Sequence, residues 1–83
     1  MGYYVYVLES EECFQKYYVG MTKNTQNRLK EHNAGKSKYT KTFRPWKIIH
    51  MEFIGDAKEA RKIEKYYKST AGKNKLRKLK IIQ

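Results

Sequence analysis

Tyr6, Tyr18, Arg28, His32 and Glu64 are the side chains of this sequence that could act on a phosphodiester, and they occur in a set order. Tyr4-Val5-Tyr6 precedes Tyr18-Val19-Gly20, Arg28 stands eight residues beyond that glycine, and Glu64 follows far downstream. A guanidinium can grip a phosphate through two parallel hydrogen bonds. An imidazole moves protons near neutral pH. Each residue also has a plainer reading. Strand aromatics usually pack a core, an arginine usually decorates a surface, and a histidine late in a helix interacts well with the helix dipole. Glu64 shares the apolar stripe of Ala60, Ile63 and Tyr67, where an acid needs a partner. That partner is a metal ion, a basic side chain, or water at the edge of the stripe.

The elements that must position these residues follow from local pattern. Tyr3 to Leu8 is aromatic and β-branched, apolar on both faces, and reads as a strand in the middle of its sheet. Tyr17 to Met21 reads as a second strand, and the short polar gap between them predicts an antiparallel hairpin. Tyr18 and Gly20 share one face, and Gly20 leaves an open place beside Tyr18. Asn24 or Thr25 caps a first helix that runs to Asn33 and ends at Ala34-Gly35. Arg28 and His32 lie four apart on one face of it. Lys36 to Pro45 reads as a basic loop, and Trp46 to Ile54 as a third strand. Asp56 with Glu59 forms a capping-box-like start for a second helix to about Ser69. Gly72 breaks it, and Lys73 to Leu79 forms a short basic helical tail. The prediction is one α+β domain over residues 1–83, order β-β-α-β-α, with helices covering a three-stranded antiparallel sheet.

Composition sets bounds on partners. The chain has 83 residues, one small domain with a thin core, to which eight tyrosines and one tryptophan contribute much of the buried area. The net charge of +11 exceeds what solubility asks and points to a polyanion, nucleic acid before acidic membrane. Lys36, Lys38, Lys41, Arg44 and Lys47 occur between Asn33 and Met51 with no acid among them, and the chain beyond Glu64 is basic without an acid. Basic faces are therefore expected. Cys13 is alone, which excludes an internal disulfide and fits a reducing cytoplasm. No signal peptide and no membrane-spanning run is apparent.

Taken together, the ordered residues resemble the GIY-YIG nuclease family over nearly the whole chain. Tyr4-Val5-Tyr6 stands for the first motif, with Tyr4 where the namesake has glycine, and Tyr18-Val19-Gly20 stands for the second. Lys23 matches a lysine often found after the second motif. His32-Asn33-Ala34-Gly35, Tyr39-Thr40 and Arg44-Pro45-Trp46 look like the small standalone bacterial branch. The resemblance implies metal-dependent hydrolysis of DNA phosphodiesters, with Glu64 as the one protein ligand for Mg²⁺ or Mn²⁺ and Arg28 stabilising charge on the phosphate. Tyr6 would be the general base, its pKa lowered by nearby metal and cations. Tyr18 would position water or phosphate, and His32 would assist proton transfer. Lys23, Lys36, Lys38, Lys41 and Arg44 are the nucleic-acid-binding candidates.

The expected function is a DNA endonuclease, structure-selective in repair or recombination, with RNA also open as a substrate. Many family members take specificity from an attached module, so a protein partner supplying it is a further expectation. The alternative is a basic nucleic-acid-binding module without turnover.

Overall fold

The computed structural model describes residues 2–83. Strands β1 (Tyr3–Ser10), β2 (Tyr17–Thr22) and β3 (Trp46–Gly55) form an antiparallel sheet in the order β2-β1-β3. The doubly apolar β1 is central, as its pattern predicts. Val5 and Val7 point to one face, Tyr6 and Leu8 to the other, and all four are buried. In the β1–β2 register, Tyr6 faces Gly20 and Leu8 faces Tyr18.

Helices cover both faces. On one side, α3 (Ala57–Lys68) and α4 (Thr70–Lys78) bury Ala60, Tyr67 and Leu76 against Val5, Val7 and Val19. On the other, α1 (Thr25–Asn33) and the single turn α2 (Lys38–Lys41) close over Tyr6, Leu8 and Trp46, with Leu29 and Phe43 packed against them. The caps are the expected ones. Asn24 Oδ1 accepts from the Asn27 amide at 3.0 Å, and Asp56 Oδ2 from the Glu59 amide at 3.0 Å. Gly35, just past α1, has φ of +80° and takes the left-handed turn that ends the helix.

Two local readings change. The basic stretch between α1 and β3 is not all loop, because α2 lies within it. Gly72 is not a helix breaker. It lies inside α4, buried, where a Cβ would drive into the Tyr66 carbonyl, so its missing side chain lets α4 approach the end of α3. The break falls at Ser69, whose extended backbone ends α3 and whose Oγ accepts from the Gly72 amide at 3.1 Å to cap α4.

The α1–α2–β3 corner is tied by side chains. Asn33 Oδ1 accepts from the Trp46 amide at 2.6 Å, and its Nδ2 donates to the Trp46 carbonyl at 3.1 Å. The Trp46 indole Nε1 donates to the Thr40 carbonyl at 2.8 Å. Helix α1 is thereby fixed against β3, and α2 against both.

Candidate active site

Tyr6 projects from the central strand into the layer under α1, and its ring occupies the space over Gly20. A Cβ on Gly20 would lie 2.5 Å from Tyr6 Oη and 2.7 Å from its Cζ. The place expected to be open beside Tyr18 is thus filled by the Tyr6 phenol. Here the glycine admits a side chain of this same domain.

The Tyr6 hydroxyl lies 3.0 Å from Nε2 of His32, one helical turn beyond Arg28 on α1. His32 is fully buried, and its Nδ1 lies 2.7 Å from Thr40 Oγ1 on α2. Thr40 is fully buried too, and its Oγ1 donates to the Ser37 carbonyl at 3.5 Å. Tyr18 stacks edge-on to His32 with ring centroids 4.9 Å apart and sits 6.4 Å from the Tyr6 ring. The imidazole therefore touches α2 and both tyrosine motifs, which neither motif alone reveals.

The donors decide where the protons sit. A carbonyl can only accept, so a Thr40 hydroxyl that donates to Ser37 is left to accept from Nδ1–H of His32. Arg28, the cation beside Tyr6, can only donate. In that His32 tautomer Nε2 is unprotonated and accepts the Tyr6 O–H. Burial supports the same state. It is the main cause that lowers His32 to about 4, with the Arg28 charge adding to it, so the ring is neutral at physiological pH.

Burial also raises Tyr6 to about 12. Its interaction with Arg28 pulls in the opposite direction but does not win, while Tyr18 and Glu64 add to the rise. The nearby cation is thus not enough to ionise the phenol. Arg28 is itself held by Glu31, with Nη1 2.7 Å from Oε1, and this pair is the main cause raising the guanidinium pKa.

Glu64 comes from α3, packed on the opposite face of the sheet, and its charge acts on the Tyr6 phenol. Its side chain is 17 % exposed, and Oε2 pairs with Lys68 Nζ at 3.5 Å. Lys68 Nζ also lies 5.8 Å from the centre of the Tyr18 ring. Lys68 is the basic partner of Glu64. Lys23, Lys36, Lys38, Lys41 and Arg44 are all exposed. Lys23 caps the ring of Tyr3 at 5.4 Å, and Arg44 lies against Gly35.

No group of three His, Cys, Asp or Glu side chains able to hold a metal occurs among the described residues. Glu64 alone does not make a closed protein site such as zinc takes. A single carboxylate at the rim does suit Mg²⁺ or Mn²⁺, since Mg²⁺ keeps several waters and shares the phosphate of its substrate.

A small antiparallel α+β domain thus holds the paired tyrosines and the arginine on one side of its sheet and the helical glutamate on α3. A family model described as the GIY-YIG catalytic domain matches residues 2–77, and this chain belongs to that family, a family of nucleases. It is 39 % identical over 79 residues to a UPF0213 protein of Syntrophus aciditrophicus, covering 93 % of this chain and 88 % of that protein. It is 43 % identical over 74 residues to a UPF0213 protein of Listeria innocua, covering 88 % and 80 %. No solved structure matches it. No helix among the described residues is long and apolar enough to cross a membrane.

Thr40 and Lys68 belong with the site although spacing did not single out a role for either. Thr40 is visible in the sequence only as part of a Tyr-Thr pair in a basic stretch, and α3 carries four lysines, of which Lys68 is one. The one usable signal for Lys68 was its position four residues after Glu64.

Proposed function

We propose that this chain is an endonuclease that hydrolyses DNA phosphodiester bonds with one divalent ion, Mg²⁺ or Mn²⁺, held by Glu64. The observation that carries this reading is the buried contact between the Tyr6 hydroxyl and the free nitrogen of a neutral His32, with Arg28 beside the same phenol. A core with no chemistry to perform has little use for a tyrosine, a histidine and an arginine in contact.

Arg28 would seat the phosphate, trading its bond to Glu31 for bonds to phosphate oxygens, and stabilise the charge that develops there. Tyr6 would take a proton from the attacking water as it passes its own to Nε2 of His32. With the phenol at about 12 and the imidazole at about 4, a free phenolate–imidazolium pair is far uphill. The two transfers must therefore be coupled, so that no phenolate accumulates. Tyr18, against the ring of His32, would hold the water or phosphate in line. When bound, the ion would supply positive charge to the phosphoryl oxygens and lower the pKa of its water. Lys68 would leave Glu64 as the ion arrives.

The test is cleavage of plasmid, single-stranded and branched DNA with Mg²⁺ or Mn²⁺, comparing wild type with Glu64→Ala and Tyr6→Phe. Cleavage by wild type, lost in both variants, is expected. Branched DNA preferred over plasmid would fit a role in repair or recombination. Tight DNA binding without cleavage of any substrate would instead establish a non-catalytic module.

A further inference from the structure

Beside Tyr18, a cleft of about 550 Å³ opens between the outer edge of β2, the α2 turn and the α3–α4 pair. Its floor is the apolar core, and the charged side chains that line it are all cationic: Lys16, Lys68, Lys73 and Arg77. Lys16 and Lys73 have no carboxylate partner among the described residues, and Arg77 is steadied by Asn74 Oδ1 and the Gln83 carbonyl. Tyr39 stands at the mouth, half exposed, with its ring 5.8 Å from that of Tyr18. Lys16 Nζ lies 5.9 Å from the Tyr39 ring centre. These cations, of which only Lys68 pairs with an acidic side chain, alternate with aromatic faces and match a nucleic-acid strand, where phosphates need charge and bases need a ring to stack on. None of these residues belongs to the binding set expected from the sequence, which lies on and around α2 and after β2; Tyr18 is among the catalytic candidates.

We propose that this cleft is a nucleotide subsite. It takes the residue of the cleaved strand next to the phosphate seated at Arg28, with the neighbouring phosphate on Lys73 and Arg77 and the base against Tyr39. Two observations favour this occupant. The cleft is continuous with the candidate active site through Tyr18 and Lys68, and its volume suits about one nucleotide with its phosphate. The inference rests on the endonuclease reading for the position of the scissile bond, but its test does not require cleavage.

The test is binding of a fluorescent single-stranded oligonucleotide of about ten residues to the full chain in EDTA, across a salt series. Lys73→Glu with Arg77→Glu should weaken binding at least tenfold beyond Lys36→Glu with Lys41→Glu. Neutral variants at Lys73 and Arg77 should flatten the log–log salt slope by about 1.4, or about 0.7 for each lost phosphate contact. Tyr39→Ala should weaken binding roughly 5- to 100-fold, the range of one base–aromatic stack, and Tyr39→Phe should restore it. Thermal melts show whether each variant folds. Wild-type affinity and salt slope in the Lys73/Arg77 variants would overturn the proposal, as would equal loss in Tyr39→Ala and Tyr39→Phe. Binding that behaves as expected in a chain that cuts nothing would sink the endonuclease reading and leave the subsite standing.

Discussion

The hydroxyl of Tyr6 carries one proton, and the groups around it decide where that proton points. In the proposed relay Arg28 only donates and the proton goes to His32, whose other nitrogen donates to Thr40. Thr40 is thus the residue that fixes the tautomer, through its own bond to the Ser37 carbonyl. Nitrogen-15 NMR of His32 should show a neutral ring with the proton on Nδ1 and no titration between pH 5.5 and 8. Thr40→Val keeps the shape and removes the acceptor. It should shift the ring toward the Nε2–H form and lower cleavage by roughly 10- to 100-fold, the usual cost of losing a partner that orients a histidine. An unchanged tautomer in Thr40→Val would refute the assignment. The sequence offered Tyr6, Tyr18, Arg28, His32 and Glu64 as candidates, because type and order survive in one dimension. It offered no role for Thr40, because α1 and α2 share no periodicity and the contact exists only once Asn33 and Trp46 have pinned them together.

At the scale of elements, two glycines show how far local pattern reaches. Strand and helix boundaries came out close to expectation because apolar periodicity and capping chemistry are local. A glycine is ambiguous in that language, since it marks a break, a turn or a close approach alike. Gly72 read as a break and is a close approach between α3 and α4. Gly72→Ala should destabilise the fold by about 2–4 kcal/mol, since the added methyl meets backbone that cannot move aside. A melting curve matching wild type would show that α4 has room to shift. Gly20 read as an open place beside Tyr18 and is space for Tyr6. Gly20→Ala should leave the sheet paired while pushing the Tyr6 hydroxyl off His32. Cleavage should then fall by at least about 100-fold, within the range a lost general base costs. Wild-type cleavage in Gly20→Ala would contradict the role given to that contact. The α2 turn shows a different limit. Its four residues are too few for a periodic signal, yet they place Thr40 inward and Tyr39 outward, so one turn serves both the proton relay and the cleft.

For the whole molecule, the burial that prepares the site also sets how stability depends on pH. His32 is held at about 4 in the folded chain and returns to about 6.5 when unfolded. Below pH 6.5 the unfolded chain binds a proton that the folded one refuses, so stability falls as pH drops, and this contribution is gone once pH passes below about 4. From pH 7 to 5 the loss should be about 2 kcal/mol, a large share of what an 83-residue domain has to spare. Tyr6 works at the other end. Its phenol is held at about 12 against 10.0 when unfolded, so folding favours the protonated form, and stability falls as pH rises from 10 toward 12. Between these windows stability should be flat with respect to both groups. Glu52 adds to the acid side. Burial opposes its charged form, but hydrogen bonds from Tyr67 and His50 outweigh it and hold the carboxyl below its ordinary value. Its share appears lower, as pH falls through and below 4.5. Urea unfolding at pH 7, 6 and 5 separates the two. Wild type should lose stability across this range, and His32→Gln, less stable at pH 7, should lose about 2 kcal/mol less between pH 7 and 5. Parallel slopes for the two proteins would mean that His32 is not held neutral in the fold, and the proton relay through it would fall with that result.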